Sequence, residues 1–108
     1  MPDRPLSEVT IDAPVRSLLS EDPDLQEVLS SYVATMHEKR ARLRELLQMD
    51  DLANLRHEVH QLAGSAGSYG FPEMSRLAAA VEDACTHHDA GGATLATLEL
   101  IAHIARVA

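Results

Sequence analysis

Apolar residues recur three and four positions apart through most of this 108-residue chain, and no stretch alternates apolar and polar in the rhythm of a strand. Leu25, Val28, Leu29, Tyr32, Val33, Met36, Leu43, Leu46 and Leu47 keep helical spacing, with no Gly or Pro before Met49. Asp22 suits an N-cap, Pro23 the first helical position, and the adjacent acids the positive end of a helix dipole. The pattern therefore predicts a long amphipathic helix of about seven turns. Asp50-Asp51 stops it and can cap a second long helix over about 51–69. Gly70 ends that helix, because glycine takes left-handed backbone without strain. Phe71-Pro72-Glu73 restarts the chain, and Met74, Leu77, Ala78, Val81, Ala84 and Cys85 mark the inner face of a third helix. A turn over 87–92 leads to a last helix from Thr94, read through Leu95, Leu98, Ile101, Ile104 and Ala105.

Ahead of these elements, residues 1–12 are polar, hold two of the five prolines and read as a loose lead-in. Ala13 to Leu19 predicts a short helix docked through Val15, Leu18 and Leu19. Short connections between long helices favour antiparallel neighbours. The predicted fold is all-α: an antiparallel up-down four-helix bundle with a short extra N-terminal helix, one domain over 13–108.

Composition narrows the function. A formal net charge of −8 repels a phosphate backbone, and two tyrosines and one phenylalanine give few stacking platforms, so nucleic acid is not an expected partner. One cysteine, Cys85, allows no internal disulfide and reads as a small core residue. No apolar run reaches the roughly 18 residues of a membrane span, and the N-terminus lacks a signal-peptide core. A soluble cytoplasmic monomer is the expectation. The initial Met1 and tapering N-terminus suit a free-standing protein over a domain cut from a longer chain.

The second long helix carries the candidate chemistry. At about 100° per residue, Leu52, Leu55, Val59, Leu62, Ala66 and Tyr69 gather on a face about 130° from His60, which therefore points outward. Around His60 lie Ala53, Ala63, Gly64 and Gly67 instead of the long charged side chains usual on a surface. Each mid-helix glycine costs about 1 kcal/mol relative to alanine. Clearance for a large group reaching the ring nitrogen is a physical reason for that cost. Two plainer readings stand beside it: exposed histidines usually do nothing, and small residues on one face often mark close helix packing.

The other histidines, His37, His57, His87, His88 and His103, read as scattered surface residues. His57-Glu58-Val59-His60 is one residue short of the H-E-x-x-H spacing that binds zinc. A metal-binding bundle using His57 and His60 with acids from a neighbouring helix remains one alternative.

The string His60-Gln61-Leu62-Ala63-Gly64-Ser65-Ala66-Gly67-Ser68-Tyr69-Gly70-Phe71 strongly resembles the phosphoacceptor segment of histidine-containing phosphotransfer (HPt) domains. That family has a histidine followed by an apolar residue at +2, a glycine at +4 and another at +10, here His60, Leu62, Gly64 and Gly70. Asp22-Pro23-Asp24-Leu25 is similar to the family's start of the preceding helix, with Tyr32 where an aromatic often sits. Asp50-Asp51-Leu52 resembles its junction, and Leu77 with Glu82 fits the following helix. Roughly residues 20–105 are covered.

The resemblance implies a phosphorelay intermediate. His60 would accept a phosphoryl group from the phospho-aspartate of a receiver domain, or from a partner kinase, and pass it to a response-regulator aspartate. It implies response-regulator receivers and a sensor (hybrid) histidine kinase as partners. It implies no cofactor held by this chain, since magnesium comes with the receiver, and no ATP-dependent kinase activity; no phosphate-binding G-x-x-x-x-G-K-[ST] loop is present. Arg56, His57, Gln61, Ala63, Gly64, Gly67 and Ser68 would surround the docking site. The family often has lysine at +3, where this chain has Ala63; Arg56, one turn before His60, is the candidate replacement cation. A docking adapter that works without phosphorylation is the second alternative.

Overall fold

Capping residues set where the helices begin. In the computed structural model, which describes residues 13–108, Asp22 accepts from the Asp24 amide, but the turn it opens, Pro23–Leu25, is a 3-10 turn. The first α-helix follows it: α1 spans Gln26–Gln48, α2 Leu52–Ser68, α3 Pro72–Thr86 and α4 Ala90–Ala105. Asp51 caps α2 through the Asn54 amide, proline opens α3, and Asp89 caps α4 through the Gly92 amide. Gly70 turns the chain between α2 and α3 at φ +85°.

Each helix packs on its neighbours in the order α1, α2, α3, α4 and back to α1, so α2 and α4 are diagonal. Leu43 and Leu46 of α1, Leu55, Val59 and Leu62 of α2, Met74 and Val81 of α3, and Leu100 and Ile104 of α4 fill the shared core. The all-α bundle predicted from the periodicity is the fold of the described residues. Residues 1–12, read as a lead-in, lie outside them.

Four expectations need correction. Ala13 to Leu19 is not a helix. It runs irregularly past the chain end, where Val15 and Val107 form an isolated parallel bridge. The Val15 amide donates to the Arg106 carbonyl at 2.7 Å, and the Ala108 amide donates to Val15 at 2.8 Å. Ser17 then clasps the α2–α3 turn, its hydroxyl donating to the Tyr69 carbonyl at 2.6 Å. A side chain at Gly70 would collide with that Ser17 hydroxyl. Leu18 is exposed, so it docks nothing.

The second correction concerns α1, where Val28 faces solvent. Third, α4 begins at Ala90, and its core face is Ala93, Thr97, Leu100, Ile101 and Ile104; Leu95, Leu98 and Ala105 point outward. Fourth, His103 is buried, not a surface residue. Burial is the main cause that holds its imidazole below the usual histidine range, helped by Arg106 and Arg76 and opposed by Glu73. His37 also has a structural partner, its Nε2–H donating to the Val107 carbonyl at 2.7 Å.

Candidate functional site

His60 sits midway along α2, on the side away from Leu55, Val59 and Leu62, and its side chain is 70% exposed. The ring is not loose. Nδ1 lies 2.8 Å from Oε2 of Glu82, on α3 across the helix pair. A carboxylate can only accept, so Nδ1 carries a proton, and in the neutral ring the lone pair is then on Nε2. Glu82 is half-buried, which limits its wandering. Among the described residues nothing bonds Nε2. The site therefore presents an oriented, solvent-facing ring nitrogen.

The surroundings divide into two sides. Towards α3, Arg56 donates from Nε to the Thr86 hydroxyl at 3.2 Å, and that hydroxyl donates to the Glu82 carbonyl at 2.9 Å. Ala63 is half-buried and packs on the core, its carbonyl accepting from the Ser75 hydroxyl at 2.6 Å. A methyl added to Gly67 would stand in ordinary contact with that hydroxyl, 3.7 Å away. Arg56 and the Ala63 carbonyl thus link α2 to α3, while Gly67 itself is exposed.

The other side is open. His57, Gln61, Gly64 and Ser68 are all exposed. A methyl built on Gly64 would meet nothing within 4 Å, so packing gives no reason for a glycine there. His57 and Gln61 make only a long contact, 3.4 Å between ring and amide nitrogens. Below them the Tyr32 hydroxyl bonds Ser65 at 2.8 Å, and its ring stacks on Tyr69 with centroids 4.1 Å apart, locking this end of α2 to α1. Lys39 pairs with Glu58 at 3.0 Å between the same helices.

Sequence reasoning assigned Glu82 only to the third helix and missed its contact. Its signal is weak: Glu82 borders the buried stripe next to Val81, and its pairing with His60 depends on the register fixed by the turn at Gly70. His57 and His60 do not converge with acids into a metal set, and among the described residues no group of three or more His, Cys, Asp or Glu could hold a metal ion. Among the same residues, no helix is long and apolar enough to cross a membrane.

A comparison with family models matches residues 27–108 to the Hpt domain. No curated protein and no solved structure matches the chain. The matched span includes His60, α2 to α4 and all of α1 but its first residue, and the chain belongs to the Hpt domain family. The family places it in histidine phosphotransfer in two-component signalling; domains of this family are phosphotransfer carriers and interact with receiver domains and histidine kinases.

Proposed function

We propose that His60 is the phosphoacceptor of this Hpt domain, and that it takes its phosphoryl group from the phospho-aspartate of a receiver and returns it to a response-regulator aspartate. The observation that carries this reading is the contact between His60 Nδ1 and Glu82 on an otherwise open ring. Nε2 attacks phosphorus with its lone pair, the acyl phosphate P–O bond breaks, and the aspartate leaves as a carboxylate. Positive charge develops on the imidazole in that step, and Glu82 faces it through the Nδ1 proton.

The chain's own part is positional, as phosphoryl transfer depends largely on placement and charge neutralisation. Helix α2 supplies a fixed nitrogen, Glu82 the tautomer, and Gly64 room for the incoming carboxyl phosphate. The receiver brings the aspartate and magnesium. His57, Gln61, Gly64 and Ser68 face the arriving receiver, while Arg56 stands on the α3 side, one turn before His60, with the guanidinium nitrogens that Thr86 leaves free as the candidate partners of phosphoryl oxygens. A cytoplasmic location fits partners that meet in the cytoplasm.

The test is incubation of the chain with receiver domains charged by a small-molecule phosphodonor, followed by acid and base treatment of the labelled product. Acid-labile, base-stable label that disappears in His60→Gln supports the reading. Label that persists in His60→Gln, or moves with His57→Gln, overturns it.

A further inference from the structure

The contact between His60 and Glu82 also sets the side on which a phosphoryl group would stand. The bonds leaving the two nitrogens of an imidazole diverge widely, so a ring that aims Nδ1 at Glu82 on α3 aims Nε2 away from α3. At about 100° per residue, Arg56 and Ala63 lie about 40° and 60° from His60 on the side bonded to α3. His57 and Gly64 lie about 60° and 40° from it on the other, open side. A group on Nε2 therefore projects towards the side that His57 occupies.

Of the four exposed residues there, His57 alone can carry positive charge; Gln61, Gly64 and Ser68 cannot. It stands three residues before His60, and side chains so spaced on a helix are neighbours, with Cβ atoms about 5–6 Å apart. Among the described residues its one hydrogen-bonding contact is the 3.4 Å approach to Gln61, long enough to be exchanged for a phosphoryl oxygen. The other charges nearby are already engaged. On α2, Arg56 donates to Thr86, and Glu58 holds Lys39 of α1 at 3.0 Å. Arg42 of α1 pairs with Glu45 at 2.6 Å. On α3, Glu82 faces Nδ1 of His60, and Asp83 lies 3.5 Å from His87.

We infer that His57 is a phosphoryl-binding residue: when His60 carries phosphorus on Nε2, His57 takes a proton from solvent and donates a ring N–H to a phosphoryl oxygen. The inference rests on the phosphoacceptor reading of His60 and adds to it a carrier whose hold on its cargo depends on pH. Arg56 and His57 then flank the group from opposite sides. A lysine at the position of Ala63 would stay charged at any neutral pH, whereas a histidine changes charge within that range. By linkage, the factor by which the phosphoryl group tightens the proton on His57 is the factor by which that proton favours phosphorus on His60. For an exposed pair a factor of about three to five is expected. The phosphorylated chain keeps the proton to higher pH, so the chain's share of phosphoryl rises as pH falls through neutrality.

The transfer equilibrium with one labelled receiver, measured at about pH 8.5 and about pH 6, tests it. His60→Gln is run first, because label that survives it disproves the phosphoacceptor reading itself. With label confined to His60, the wild-type chain and His57→Gln are expected to hold equal shares at the higher pH, and the wild type about threefold more at the lower. The receiver's own pH dependence is common to both and cancels. His57→Lys is expected to hold the larger share at both pH values. In the wild type, the carbon-bound ring protons of His57 titrate about half a pH unit higher after phosphorylation, a measurement that needs no variant. Equal shares at both pH values, a difference as large at the higher pH as at the lower, a His57→Lys that behaves as His57→Gln, or a His57 titration that phosphorylation leaves in place overturns the inference.

Discussion

Glu82 Oε2 stands 2.8 Å from His60 Nδ1, joining α3 to α2 across 22 residues of chain. The contact has a chemical consequence that mere proximity would not: in the neutral ring it puts the proton on Nδ1 and the lone pair on Nε2, the nitrogen that the proposed transfer uses. Glu82→Ala removes the acceptor and lets the proton sit on either nitrogen. Phosphoryl transfer to the chain is expected to slow about tenfold, the low end of what one hydrogen bond to a charged group is worth. Glu82→Gln keeps an acceptor oxygen but not the charge, and recovers only part of the rate. Single-turnover transfer from a labelled receiver measures this, and equal rates for all three proteins would remove Glu82 from the mechanism.

Gly64 separates stability from function. Its added methyl meets no neighbour, so Gly64→Ala is expected to stabilise the chain by about 0.5–1 kcal/mol in urea unfolding, through better helix propensity alone. Gly64→Leu fills the approach to Nε2 and is expected to cut the transfer rate by more than tenfold with the fold intact. Undiminished transfer by Gly64→Leu would show that the receiver arrives from another direction.

Arg56 is the only Lys or Arg in α2, and Thr86 fixes its Nε at 3.2 Å. If it substitutes for the cation the family often has at the position of Ala63, Arg56→Ala shortens the lifetime of the phosphorylated chain about three- to tenfold at low salt. The effect shrinks at high salt, where exposed charges are screened. Label decay followed at two ionic strengths decides the matter; identical decay in both proteins leaves Arg56 as a tether to α3.

His103 makes stability depend on pH. Its folded-state pKa is lowered, chiefly by burial, while the unfolded chain restores an ordinary value near 6.5. Unfolding therefore takes up a proton below that value, and folding stability falls as pH drops from about 7 towards 5. Above the unfolded pKa the contribution is complete. His103→Leu, which also removes a buried Nε2 without a partner among the described residues, is expected to flatten this part of the profile. Urea midpoints at pH 7.5 and 5 for both proteins measure it, and equal slopes would assign the acid sensitivity elsewhere.

The helices that carry the site were legible because their ends are marked by chemistry: Asp51 as a cap, Pro72 at a first turn, Gly70 at a positive φ. The outward direction of His60 followed from one clear apolar stripe. Where two apolar stripes compete, as on α4, periodicity loses its meaning, and Leu95 and Leu98 were drawn to the core in place of Thr97 and Leu100. Ala13 to Leu19 failed for a different reason. Its apolar spacing is compatible with a helix, but Val15 finds backbone partners at the far end of the chain, which no local pattern records. Glu82 was present in the sequence and placed on the right helix, but its partner depends on inter-helix register.

The tautomer and site of phosphorylation of His60 are read together by a long-range proton–nitrogen correlation spectrum of the imidazoles, recorded before and after phosphorylation. The account predicts a proton on Nδ1 of His60 beforehand and phosphorus on Nε2 of the same ring afterwards, with His57 unphosphorylated. A proton on Nε2 in the resting protein, or phosphorus on His57 or on Nδ1 of His60, would contradict it.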